Sequence, residues 1–458
     1  MRTWIAVAST ALFLLAWVTL TRLEPNWQKG ILPTEPPTPY IHYSPDATQE
    51  SRGIVLVVHG LDATKETMRT ISASLVDAGF EVYTIDLPGH GDSPVGFDAN
   101  TAREAIRHVL LHIGPESIVL GHSLGAGLLL DLAGDQQFST MVLLSPPPLP
   151  VDKVLAGRAL VITGAFDVGR IRAFAPQLAD MGNPRIETWT LPWAAHSSAI
   201  VNPMHIRRIV DWLGADGSKV KTAPRLALLV IMLASGIALG IALLPGTAIR
   251  PELQPIPALL VRYVAACLAA ILILKVFVPL SWLRLFATDY LIGFLFVAGL
   301  ILSIHRLPRP RINRQGAAAA IGAAAFVIVV LGLIAGSHIL HMTLSDGRWW
   351  RFPFIAAAGF PLFLADETTI RKIHPQWKAV GTALATRVLL GAFLVTGVLL
   401  LNREAAFLVL IAHLIVFFWI ALWFGAHVVH RHTQNPFAAA LFAALVQGWS
   451  FAAWFVIR

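Results

Sequence analysis

Apolar and polar positions are distributed very unevenly along this chain, and the unevenness predicts its parts. Residues 4–20 (WIAVASTALFLLAWVTL) form one uncharged apolar run between Arg2 and Arg22, with no Ala-x-Ala-like site before the Pro-rich stretch ILPTEPPTPY. That pattern predicts an uncleaved signal anchor over 1–22 and a Pro-rich linker over 23–50. From 51 to 215, short β-branched runs alternate with longer amphipathic stretches and Gly-, Asp- and His-containing turns. A linker at 216–225 follows, and the character then changes for the remainder, 226–458. Apolar runs recur at 226–244, 257–279, 282–303, 317–336, 382–401, 405–424 and 437–456, each near the roughly 20 residues a helix needs to cross the hydrocarbon core. An eighth run, 352–365 (FPFIAAAGFPLFLA), is short and carries two prolines, which predicts a kinked or re-entrant span. The expectation is a soluble domain followed by an all-α membrane domain of about eight helices.

Composition agrees with that division. Of 458 residues 56% are hydrophobic and 14% charged, with mean hydropathy +0.66, against roughly 25% charged in a soluble globular chain. The net charge of +8 comes from basic residues scattered between apolar runs, so the basic patch of a nucleic-acid-binding protein is missing. The single cysteine, Cys267, excludes an intramolecular disulfide framework and reads as a buried thiol. In membrane proteins Lys and Arg collect in cytoplasmic loops. The loops 305–315 (Arg306, Arg309, Arg311, Arg314) and 366–378 (Arg371, Lys372, Lys378) both fall inside if 4–20 and 352–365 span. The 51–215 domain then lies on the extracytoplasmic side of a bacterial-type plasma membrane. Lys219, Lys221 and Arg225 run against this orientation.

The soluble segment reads GIVLVVH (53–59), FEVYTID (80–86), SIVLG (117–121), TMVLL (140–144) and ALVITG (159–164), with helix-like segments between. Apolar strands alternating with helices predict a doubly wound, mostly parallel sheet, whose ligands bind at the carboxyl ends of the strands. Gly121-His122-Ser123-Leu124-Gly125 lies between such a strand and a helix, the strand–turn–helix setting of a nucleophile elbow. Ser123 then stands at a helix N-terminus, which favours developing negative charge. A serine hydroxyl needs a base, and the base needs an orienting acid. Asp167 in AFDVGR and His196 in LPWAAHSSAI each follow a predicted strand, in the chain order Ser, Asp, His expected for this arrangement. The backbone amides of Leu61, in His59-Gly60-Leu61, and of Leu124 are the candidate oxyanion donors.

These motifs, VVHGLDA, IDLPGHGDSP, GHSLG, ITGAFD and AAHS, make residues 50–213 resemble the α/β-hydrolase superfamily. The turn Asp86–Ser93 is most similar to its monoacylglycerol-lipase and serine-aminopeptidase-like branches. The resemblance implies an α/β-hydrolase fold, a structural role for that turn, and esterase or lipase chemistry with no cofactor. Only SPPPLPVDKVLAGR (145–158) separates TMVLL from ALVITG, too little for the helical cap many relatives insert. An uncapped site suits lipid-like or envelope-associated acyl substrates. Two other functions fit the same residues: acyl transfer to an acceptor other than water, and a transporter or sensor carrying a hydrolase-like binding domain.

Within the membrane domain, ionisable residues are functional candidates by default: Arg262, Lys275, Asp289, Asp366, Glu367, Arg387 and His413. His338/His341 and His427/His430/His432 are grouped histidines, but no cysteine and no well-placed carboxylate accompanies the second group, so no metal is expected.

Overall fold

Successive strand residues face opposite sides of a sheet, so the unbroken apolar run of β3 (Ile54–Val58) needs cover on both faces. In the computed structural model Leu56 and Val58 pack into one core with α3 (Ala99–Ile113), α4 (Leu124–Leu132) and α5 (Gly169–Asp180). Val55 and Val57 pack into a second core with α2 (Arg69–Asp77) and α6 (Pro203–Trp212). The structure describes residues 2–458 except 47–49, 152–153, 155, 181–185, 253, 278–279, 287, 305–312, 335–340 and 403–404. His338 and the arginines at 306, 309 and 311 therefore lie outside the described residues.

The sheet has eight strands in the order β1-β2-β4-β3-β5-β6-β7-β8. β4 (Glu81–Ile85), β3, β5 (Ile118–His122), β6 (Phe138–Leu144), β7 (Ala156–Gly164) and β8 (Ile186–Leu191) run parallel. This is the doubly wound sheet expected. The segment 23–50, expected as a linker, instead contributes an antiparallel hairpin of β1 (Asn26–Leu32) and β2 (Thr38–Ser44), the latter paired antiparallel to β4. Its prolines cluster in the connection, and Pro39 faces Ile31 near the hairpin end, positions where a missing amide donor is tolerated. Only residues 145–155 lie between β6 and β7, so no helical cap is inserted there.

The chain divides into two compact units. One holds Ala11–Ala234, Gly332–Thr343 and Val456–Arg458; the other holds Met1–Thr10, Ser235–Leu331 and Leu344–Phe455. Two short stretches from late in the chain thus belong with the sheet.

Seven helices among the described residues are long and apolar enough to cross a membrane. They are α1 (Arg2–Leu23), α7 (Thr222–Leu243), α8 (Ile256–Lys275), α10 (Arg314–Ile334), α13 (Gln376–Leu401), α14 (Phe407–Thr433) and α15 (Pro436–Trp454). α7 begins inside the expected 216–225 linker. Two of the expected spans differ in form. The run 282–303 is helical only from Asp289 to Ser303 (α9), because the Asp289 carboxylate accepts the amides of Leu283 and Leu285 at 2.9 and 3.3 Å and holds the preceding turn out of the helix. The run 352–365 forms one helix, α12 (Arg351–Thr368), that follows the short α11 (Asp346–Trp349) and continues through Pro361.

α12 packs closely on α15: a Cβ on Gly448 would lie 2.7 Å from that of Ala356, the small-residue contact that lets helix backbones approach in lipid. Three of the ionisable candidates, Asp366, Glu367 and Arg387, have charged or ionisable side-chain partners. Arg387 pairs with Asp366, which also accepts from the Tyr263 hydroxyl. Glu367 takes Arg371 at 2.7 Å and His430 Nδ1 at 2.6 Å, with the Arg371 guanidinium 3.8 Å above the Trp423 ring. Buried charge requires such partners, so these residues read as helix-packing groups. Lys275 and His413 are exposed, and His432 turns away to the Pro245 carbonyl at 2.7 Å.

Candidate active site

The parallel strands deliver the sequence-predicted residues to one edge. Ser123 follows β5, Asp167 follows β7, His196 follows β8, and Gly60-Leu61 follow β3. Ser123 has φ 51° and ψ −114°, a strained conformation costing on the order of 1–3 kcal/mol, and it heads α4. The flanking glycines make that bend possible: a Cβ on Gly125 would sit 2.5 Å from the Val58 carbonyl oxygen, and one on Gly121 2.6 Å from the Ala126 nitrogen.

His196 Nε2 lies 2.9 Å from Ser123 Oγ, and its Nδ1 lies 2.8 Å from Asp167 Oδ1. The Asp167 side chain is fully buried, while that of His196 is 16% exposed, so the chain of contacts runs from the interior towards the surface. Burial opposes the Asp167 carboxylate, but interactions led by the hydrogen bond from His196, the Val168 amide at 3.0 Å among them, outweigh it and hold its pKa below the usual range. An ionised Asp167 fixes the proton on His196 Nδ1 and leaves Nε2 as acceptor for the serine hydroxyl.

The loop after β3 passes beside the nucleophile, since a Cβ on Gly60 would be 3.0 Å from the Ser123 Cβ. Neither the Leu61 nor the Leu124 amide donates to another described residue. Both predicted donors are therefore available next to Ser123. His59 secures this loop: its Nε2 accepts the Leu87 amide at 3.1 Å, so Nδ1 carries the proton given to the Gly60 carbonyl at 2.7 Å. Burial pushes the His59 pKa down, against the attraction of Asp86.

Two further residues of the site were visible in the motifs without their roles. His122 is buried, and its Nε2 donates to the His196 carbonyl at 3.1 Å; burial, then repulsion from His196, pushes its pKa down to about 3. Ser145 Oγ donates to the same carbonyl at 3.2 Å. The backbone of the predicted base is thus held from two strands. What no periodicity reveals is a pair of side chains from different strands meeting one carbonyl.

Beside the relay, Phe166 and Trp193 stack edge to face with centroids 5.9 Å apart and are 64% and 86% exposed. An aromatic pair so exposed, with Phe166 directly before Asp167, is available to an apolar ligand.

The turn Asp86–Ser93 encloses a buried ionic cluster. Lys65 Nζ meets Asp86 at 2.5 Å, Asp92 at 2.7 Å and Glu66 at 3.4 Å, and Lys29 Nζ meets Glu66 at 2.8 Å. His341 lies against Glu66 (Nδ1, 3.5 Å) and Asp92 (Nε2, 3.4 Å). Glu66, Asp92 and His341 bring potential ligand atoms within 4.8 Å of one another. The two ring nitrogens face different carboxylates, however, and both carboxylates of the trio already meet an ammonium group, Glu66 those of Lys29 and Lys65 and Asp92 that of Lys65, so the donor set fits an ion-pair network better than a cation.

A family model described as the alpha/beta hydrolase fold matches residues 53–176, and the sheet, elbow and flanking helices have that fold. Among solved structures, the chain is similar to a carboxylesterase from Bacillus subtilis, with 14% identity over 45% of this chain and 98% of that one and a TM-score of 0.37. It is similar to the monoacylglycerol lipase of Paleococcus ferrophilus, with 17% identity, coverage of 42% and 99%, and a TM-score of 0.34. It is also similar to a serine hydrolase without lid from Xanthomonas campestris, with 18% identity, coverage of 40% and 95%, and a TM-score of 0.34. No curated protein matches the chain.

Proposed function

We propose that this protein is a membrane-anchored serine hydrolase that cleaves carboxylic esters of lipid-like substrates through an acyl-enzyme. The observation that carries the reading is the continuous relay from Ser123 Oγ through His196 to Asp167, at 2.9 and 2.8 Å. Ser123 Oγ attacks the ester carbonyl while His196 Nε2 takes its proton, and the Leu61 and Leu124 amides hold the oxyanion. His196 returns the proton to the departing alkoxide as the carbon–oxygen bond breaks, leaving an acylated Ser123. Water, deprotonated by His196, then releases the carboxylic acid and regenerates the serine.

Lipid-like substrates are supported by the uncapped mouth and the exposed Phe166–Trp193 pair. Removing both rings, Phe166→Ala with Trp193→Ala, is expected to lower kcat/KM for long-chain p-nitrophenyl esters about tenfold, since each forfeits apolar burial. Short-chain esters are expected to change less than twofold. On this reading the hydrolase domain is extracytoplasmic, because α1, α7, α8 and α10, with the paired shorter helices α9 and α12 either both crossing or neither, make an even number of crossings between Arg2 and the loop bearing Arg371, Lys372 and Lys378 and put both basic ends on the same side.

The deciding experiment is fluorophosphonate labelling of membranes carrying wild type, Ser123→Ala or His196→Ala. Labelling in wild type alone supports the assignment, and folded wild-type protein that does not label would overturn it. Preferential transfer of the acyl group to an added alcohol or amine over water would identify an acyltransferase built on the same three residues.

A further inference from the structure

The loop carrying the Leu61 amide is completed by residues far away in the chain. Asp62, directly after Leu61, adopts φ 55°, a conformation that a non-glycine residue holds only when its surroundings enforce it. Its Oδ1 accepts the backbone amide of Val456 at 2.9 Å, and Val456 is completely buried. The next residue, Ile457, makes a two-way backbone bridge to the Asp86–Ser93 turn and its continuation: its amide donates to the Gly89 carbonyl at 2.9 Å, and its carbonyl accepts the Phe97 amide at 2.8 Å. That turn is the one whose Leu87 amide holds His59. At the other end of the loop, His341 lies between Glu66 and Asp92. Residues 341 and 456–458 all belong to the same compact unit as the sheet, although membrane helices precede both in sequence.

We propose that Val456 and Ile457 are positioning residues for the oxyanion site, holding Asp62 and thereby the orientation of the Leu61 amide, with His341 securing the far end of the loop. The proposal rests on the serine-hydrolase reading above. It gives residues from late in the chain, within the unit that holds the sheet, a part in the chemistry.

The test uses the full-length protein in detergent or liposomes and compares Asp62→Ala, which removes the acceptor, Val456→Pro, which removes the donor, and Asp62→Asn, which keeps an Oδ1 acceptor. A displaced donor is expected to lower kcat about 100-fold, with KM within threefold and a parallel loss of affinity for a boronate that mimics the tetrahedral adduct. Asp62→Asn is expected to stay within threefold of wild type. The double variant Asp62→Ala with Val456→Pro is expected to lose little beyond either single one, because both break the same contact. Values of kcat within twofold of wild type in both disrupting variants would overturn the positioning role. So would a loss of kcat that tracks a fall in Tm while the boronate still binds normally. Absence of Ser123-dependent labelling in wild type would overturn the hydrolase reading itself, and this inference with it.

Discussion

Ser123→Ala is expected to lower kcat for ester hydrolysis by about 10⁴–10⁶-fold while leaving thermal stability within a few degrees of wild type. The loss is large because the substitution removes the hydroxyl that lies 2.9 Å from His196 Nε2, in a turn whose following residue is Leu124 and beside which the Gly60-Leu61 loop passes. His196→Ala is expected to cost a similar factor, and the two losses together little more than one alone, since nucleophile and base act as a unit. Asp167→Asn keeps the packing but releases the Nδ1 proton's preference, with an expected loss of about 10⁴-fold. Stopped-flow kinetics with an activated ester reads all three. A residual rate above that of water in Ser123→Ala is expected from the oxyanion amides, and a variant within tenfold of wild type would sink the assignment.

The second large effect concerns stability. Lys65 is 1% exposed, and its ammonium is shared by Asp86, Asp92 and Glu66. Lys65→Met preserves length but leaves buried carboxylates without their central cation, with an expected cost of about 3–5 kcal/mol. Burial opposes the charged forms of Glu66 and Asp92; His341 and Lys65 on Glu66, and Lys65 and His341 on Asp92, hold both below the usual carboxylate range. A carboxylate whose folded pKa is depressed contributes stability present above its unfolded value, near about 4, and loses it as pH falls through the lower folded value. Burial likewise opposes the Lys65 ammonium, but Asp86, Glu66 and Asp92 raise its pKa. Its contribution is complete below about pH 10 and declines as pH rises through the folded value. The gap between wild type and Lys65→Met is therefore expected to be widest at neutral pH and to narrow at pH 3, where the carboxylates take up protons. Chemical denaturation at pH 7 and pH 3 measures it; a gap independent of pH would show that Lys65 acts through packing alone.

Much of this site was legible in the sequence because its signals are local. The elbow needs a strand, a glycine-flanked serine and a helix within a dozen residues, and Asp167 and His196 each follow an apolar run that ends at the same sheet edge. The hairpin β1–β2 leaves little alternation to detect in the sequence, because β1 is exposed along most of its length and prolines border both strands. α9 was expected seven residues too early because hydropathy does not register that Asp289 caps the preceding turn. The roles of His122, Ser145, His341 and Val456 were not legible at all, since each depends on meeting a partner from a different strand or a distant stretch of chain. Asp366, Glu367 and Arg387 were visible as anomalies, and only the fold pairs them.

The bond between Val456 and Asp62 also orders events during synthesis. The sheet and its relay are encoded before residue 220, so they leave the ribosome first and fold first, as N-terminal domains do. The strap that fixes Leu61 follows α15, the last membrane helix described here. A ribosome still threading those helices therefore carries a domain with its serine, histidine and aspartate assembled and its oxyanion loop unfastened. On the proposed reading the loop beside Ser123 is fastened only after residue 457 has been made, so the order of synthesis sets the order in which the site is assembled.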